Sequence, residues 1–131
     1  MKVEKDWTTE SGLRAVVIVQ DFGNRCGYVA VPKGATTYGE HYDDVQVDVH
    51  GGLTFSDWGD TYPVEAGDVW WFGYDCAHYG DARDPTLMSP KYKDMYDKGM
   101  FSSIFDDGVV RSLEYCVDQC ESLASQLKEM K

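Results

Sequence analysis

The sequence predicts an α+β fold: a single domain in which an antiparallel β-sheet packs against a long C-terminal α-helix. Two observations carry this. Apolar, β-branched runs separated by turn residues fill the first two thirds of the chain, and a broad helical stripe of apolar residues closes it. The length of 131 residues suits one domain over 1–131 with one core. Its 43% hydrophobic and 14% aromatic residues supply that core.

Residues 12–20, GLRAVVIVQ, form a β-branched run suited to a central strand. Residues 25–31, RCGYVAV, read as its partner, with DFGN as the turn between them. Residues 45–50, VQVDVH, alternate cleanly. Val45, Val47 and Val49 face one way and Gln46, Asp48 and His50 the other, which predicts a half-buried strand. Gly51-Gly52 then bends the chain, and LTFS continues as a strand. Residues 68–75, DVWWFGYD, are apolar on both faces and predict a strand covered on both sides. Residues 80–105 read as a long loop with one short helix near 91–98.

From about 107 to 130, apolar residues at 109, 113, 116, 120, 123, 127 and 130 make the helical stripe, with Asp106 or Asp107 as the cap. Arg111, Tyr115, Asp118 and Ser122 fall on the opposite face. An exposed Arg–Tyr pair there suits a subunit contact or a ligand. A homo-oligomer is expected, most simply a two-fold dimer to which this helix contributes.

The net charge of −11 argues against broad nucleic-acid binding and against anionic membranes, both of which rest on Lys and Arg. It leaves room for a small anionic ligand held by one or two of Arg14, Arg25, Lys33, Arg83 and Arg111. No window approaches the roughly 18 apolar residues of a membrane span. The opening MKVEKDWTTE is charged from the start and does not read as a signal peptide, so a cytoplasmic protein is expected. In that compartment Cys26, Cys76, Cys116 and Cys120 stay reduced. Cys116 and Cys120, four apart on the helix, read as small core residues.

Two stretches concentrate polar chemistry. In HGGLTFSDWGD (50–60), His50 leaves its strand beside paired glycines, whose backbone allows close approach to a ligand and whose N–H groups can cradle an anion. Thr54 adds a hydroxyl. In WWFGYDCAHYGD (70–81), Gly73 suggests close approach of another group, and Asp75, Cys76, His78 and Asp81 follow at a strand end.

Four readings of these residues stay open. They are a metal site, a Cys76–His78 nucleophile pair, His50 and His78 as acid and base on a phosphodiester, and polar supports for a pocket or a buried network. Cys76-x-His78 has no second close pair to complete a zinc site, so no metal and no cofactor are expected. Tyr38 and Tyr42, in the polar stretch TTYGEHYDD, are candidates to stack on a base. The expected ligand-binding set is Tyr38, Tyr42, His50, Gly51, Gly52, Thr54, Asp75, His78, Asp81 and Arg111, with no catalytic residue assigned. Replacing His50 or His78 by alanine is expected to preserve the fold and weaken function.

The pieces CGYVAVP (26–32), YGEHYDD (38–44), VHGGLTFS (49–56), WWFGYDCAHYGD (70–81) and LEYCVDQCESLASQL (113–127) run in order across most of the chain. Together they resemble a family of small bacteriophage and prophage proteins without an assigned activity. The resemblance implies the cytoplasm of a bacterial host, and it carries no residue role over. In size the chain is similar to phage counter-defence proteins, several of which trap immune nucleotide signals; this is an analogy of type. The expected function is a phage-encoded binding protein that sequesters a nucleotide-derived signal, such as a cyclic nucleotide or an ADP-ribose derivative. The alternatives are a phosphodiesterase using His50 and His78, or an acidic inhibitor of a host protein.

Overall fold

The computed structural model describes residues 1–100 and 108–130. They contain strands β1 (Lys2–Thr8), β2 (Arg14–Val19), β3 (Arg25–Pro32), β4 (Phe55–Trp58) and β5 (Val69–Asp75), and helices α1 (Pro90–Asp97) and α2 (Leu113–Glu129). The strands form one sheet in the order β1-β2-β3-β5-β4, with every pair antiparallel. The chain is thus the expected α+β domain, with the C-terminal helix packed on the sheet.

The sheet is buried on both faces, for a reason already present in its strands. In RAVVIV and VWWFGYD both alternating sets are apolar. One set, including Ala15, Val17, Val29, Val31 and Phe72, packs against Cys116, Cys120, Leu123, Ala124 and Leu127 of α2. The other set, Val16, Ile18, Ala30 and Trp71, is covered by Tyr62, Val64 and Ala66 from the β4–β5 connection. Each large side chain so buried stabilises the fold by about 1.5–3 kcal/mol.

Gly27 and Gly73 are cut to fit this sheet. Gly27 pairs with Tyr74, and Tyr28 with Gly73. A Cβ at Gly27 would sit 2.4 Å from the Tyr74 ring, and one at Gly73 would sit 2.5 Å from the Tyr28 ring. Each tyrosine lies across its partner glycine, one on each face. The group that closely approaches Gly73 is therefore a cross-strand ring of the same sheet.

Two expectations differ from the structure, and one strand was not foreseen. VQVDVH is not a strand. Val45 and Val49 are buried and Val47 is half-buried, as the alternation requires, but the segment lies against α2 rather than in the sheet. Its backbone is satisfied by side chains: Asp48 N donates to Gln126 Oε1 at 2.7 Å, Gln126 Nε2 donates to Asp48 O at 2.7 Å, and His50 N donates to Gln119 Oε1 at 2.8 Å. Helix α2 begins at Leu113, where Ser112 caps it by accepting from Tyr115 N. The capping role given to Asp106 or Asp107 lies outside the described residues. Val109 instead bridges Asp81 in an extended segment. Finally, β1 has no apolar alternation to announce it. It is a charged edge strand, and its polarity discourages pairing with another chain.

Candidate functional site

Residues from three segments meet near the start of α2. His50, at the bend after Val49, places Nε2 2.8 Å from Asp81 Oδ2 and Nδ1 2.7 Å from the Tyr115 hydroxyl. Asp81 Oδ1 accepts from Arg111 Nε at 2.8 Å, and Oδ2 also accepts from His78 N at 3.1 Å. The Arg111 carbonyl accepts in turn from Arg25, whose guanidinium is also bound by Glu4. The Asp81 side chain is 1% exposed and that of His50 13%.

The carboxylate fixes the tautomer. Asp81 can only accept, so Nε2 of neutral His50 carries the proton and Nδ1 accepts from Tyr115. Burial raises the Asp81 pKa, but the bonds from His50 and Arg111 outweigh it and hold the group below the usual carboxylate range. Burial raises the Tyr115 hydroxyl, so it stays protonated and donates to His50.

Gly51 serves this cluster directly. Its φ is 68°, and a Cβ there would sit 2.3 Å from the His78 ring. The close approach anticipated at the Gly-Gly bend is thus made by His78. The His50 and His78 rings lie 6.1 Å apart, centre to centre. His78 Nε2 lies 3.2 Å from Asp75 Oδ1, within ion-pair distance but without hydrogen-bond alignment. Asp75 also accepts from Thr54 Oγ1 at 3.0 Å and from Ala77 N at 3.1 Å.

His50, Gly51, Thr54, Asp75, His78, Asp81 and Arg111 are therefore brought together, with Gly52 beside them. Tyr38 and Tyr42 are not part of this constellation. Tyr38 bonds Asp68 and packs edge-on to Trp58, and Tyr42 stacks near His41. The expected Arg111–Tyr115 pair forms, with the guanidinium 5.2 Å from the Tyr115 ring centre, but it is half-buried rather than exposed, and its polar atoms bond Asp81 and His50 of the same chain.

Cys76 does not pair with His78. It is 2% exposed among core residues, with Sγ 3.7 Å from Cys116 Sγ. The Cys116 contact and burial raise its pKa, which leaves an inert thiol. Burial pushes Cys26 up to about 11 and Cys120 up to about 12. Among the described residues, no group of three or more His, Cys, Asp or Glu is placed to hold a metal ion.

The cluster has little chemistry to offer a ligand. Both His50 nitrogens are occupied, so it cannot serve as acid or base without breaking a bond. Of the expected phosphate holders, Arg14 is bound by Asp6, Arg25 by Glu4 and Arg111 by Asp81. The arrangement joins the 49–51 bend, the end of β5 and the start of α2, which is the work of a fastener.

On the far side of Asp75 lies a cavity of about 590 Å³. The β2–β3 turn contributes Gln20, Asp21, Phe22 and Asn24, and the ends of β4 and β5 contribute Thr54, Phe55, Asp75 and Ala77. Tyr28, Tyr62 and Tyr92 of α1 also line it. Tyr28, Phe55 and Tyr62 contact one another at 5.3–5.5 Å between ring centres, and Phe22 meets Tyr92 at 4.1 Å. Gln20 Nε2 donates to the Tyr62 hydroxyl at 2.8 Å, which meets the Tyr28 hydroxyl at 2.8 Å.

Only Thr54 and Asp75 of this wall belong to the expected set. Gln20, Asn24, Phe55, Tyr62 and Tyr92 come from segments far apart in sequence, and no local pattern links them. No protein-family model, curated protein or solved structure matches the chain.

Proposed function

We propose that the protein is a non-catalytic small-molecule-binding protein whose ligand enters the aromatic cavity. The observation that carries this is the cavity itself: about 590 Å³, lined by aromatic rings, with Gln20, Asn24, Thr54 and Asp75 as polar residues of its lining. A flat heteroaromatic group fits such walls, and a nucleobase is one. A nucleotide-derived signal, trapped by a phage-encoded protein in the host cytoplasm, is the ligand class we assign. Its base would occupy the cavity, and its phosphates would lie outside the mouth, because among the described residues no Lys or Arg lines this wall. Among the described residues no helix is long and apolar enough to cross a membrane.

The two-histidine phosphodiesterase is the weaker reading, since His50 has no free ring nitrogen. Self-association as a dimer is part of the proposal. Its surface is better sought at exposed Tyr79, Val109 and Val110 than on α2, whose outer Glu114 and Asp118 would meet like charges across a two-fold.

Mass spectrometry under native and then denaturing conditions tests the function. Protein purified from phage-infected cells should carry extra mass that is released intact and absorbs in the ultraviolet. Release of a cleaved product would instead support an enzyme. A bare chain that recovers a host protein would support the inhibitor.

A further inference from the structure

Resting on the reading that the aromatic cavity is the binding site, we infer that the group it takes is an organic cation, specifically a planar, positively charged heterocycle seated against Asp75. The inference starts from the charge left unbalanced on this wall. Two carboxylates elsewhere meet a guanidinium, Glu4 at Arg25 and Asp81 at Arg111, whereas half-buried Asp84 and Glu121 receive only neutral donors, as Asp75 does. Asp75, with its side chain 31% exposed, receives only the Thr54 hydroxyl and the Ala77 N–H, with His78 Nε2 at 3.2 Å. Among the described residues no lysine or arginine meets it. Asp21, the other carboxylate on the wall, is bound by the N-terminal ammonium.

The aromatic walls select in the same direction. Ring faces carry negative potential and attract a cation lying over them. Tyr28, Phe55 and Tyr62, which meet edge to face or tilted, all line the cavity together with Asp75. A carboxylate and aromatic rings lining one cavity is a combination that suits an organic cation. An anion would meet the Asp75 carboxylate with no Lys or Arg beside it among the described residues. The net charge of −11 adds a field that draws cations towards the whole molecule. Within the nucleotide-derived class, this favours a base that is alkylated or protonated on a ring nitrogen over a neutral one.

Isothermal titration of the full chain at neutral pH tests the inference, with N-methylquinolinium and uncharged quinoline as probes of nearly equal shape. N-methylquinolinium should bind about tenfold tighter or more. Added salt should weaken its binding and leave quinoline unaffected. In Asp75→Asn the preference should vanish while quinoline affinity holds. The salt dependence of the wild-type chain gives the same answer should that variant fail to fold. Equal or tighter binding of quinoline would overturn the cation inference and leave the cavity standing as a site. Binding of neither probe would overturn both.

Discussion

The His50 ring is met by Tyr115 at one nitrogen and by Asp81 at the other, and Asp81 is met in turn by Arg111. Removing the ring takes a bond from buried Asp81 and from half-buried Tyr115, whereas His78, with its side chain 35% exposed, holds Asp75 only loosely. His50→Ala should therefore cost roughly 1–3 kcal/mol of stability. His78→Ala should cost about 0.5 kcal/mol or less. Thermal melts of the two variants check the contrast, and equal losses would remove the fastener role. Asp81 adds a pH dependence. Its folded pKa lies below its unfolded value of about 3.9, so its stabilisation is present above that pH and is lost as pH falls through the folded value. Asp6, held low by Arg14, acts in the same sense. Denaturant unfolding across the acid range should show a shallower loss of stability below about pH 4 in Asp81→Asn than in the wild-type chain.

Among the elements, those whose side chains announce their own burial were legible in the sequence. GLRAVVIVQ, RCGYVAV and DVWWFGYD each became a strand of the sheet, and the apolar stripe became α2. Alternation in VQVDVH was also real, since its valines point to the core. Alternation reports which side is buried and not who supplies the hydrogen bonds, and here Gln119 and Gln126 do. Strand β1 was hidden for the opposite reason: it gains its place from backbone pairing with Arg14–Val19, and its side chains stay largely in water. The site was half legible. Clustered polar residues marked the fastener, while the cavity wall depends on sheet order, which places the β2–β3 turn beside Thr54 and Asp75. The crossed Tyr28–Gly73 and Tyr74–Gly27 pairs make an element-scale prediction. Gly73→Ala drives a methyl into the Tyr28 ring and should destabilise by about 1–3 kcal/mol. Chemical denaturation reads this directly, and an unchanged midpoint would show that the ring can move aside.

Over the whole molecule, α2 and its glutamines secure one face of the sheet, the β4–β5 connection covers much of the other, and the cavity opens where that cover ends. The central claim is that ligand binding belongs to this cavity and fold stability to the His50–Asp81 cluster. Ala77 is exposed on the cavity wall, so a tryptophan there fills the space without removing a polar group. The most direct test is mass spectrometry of small molecules released on denaturation from wild-type, Ala77→Trp and His50→Ala proteins, all purified from phage-infected cells. The account predicts a ligand from the wild type, none from Ala77→Trp with its melting temperature intact, and retained ligand from folded His50→Ala with its melting temperature lowered. Ligand retained by Ala77→Trp, or lost from a His50→Ala protein of undiminished stability, would contradict it.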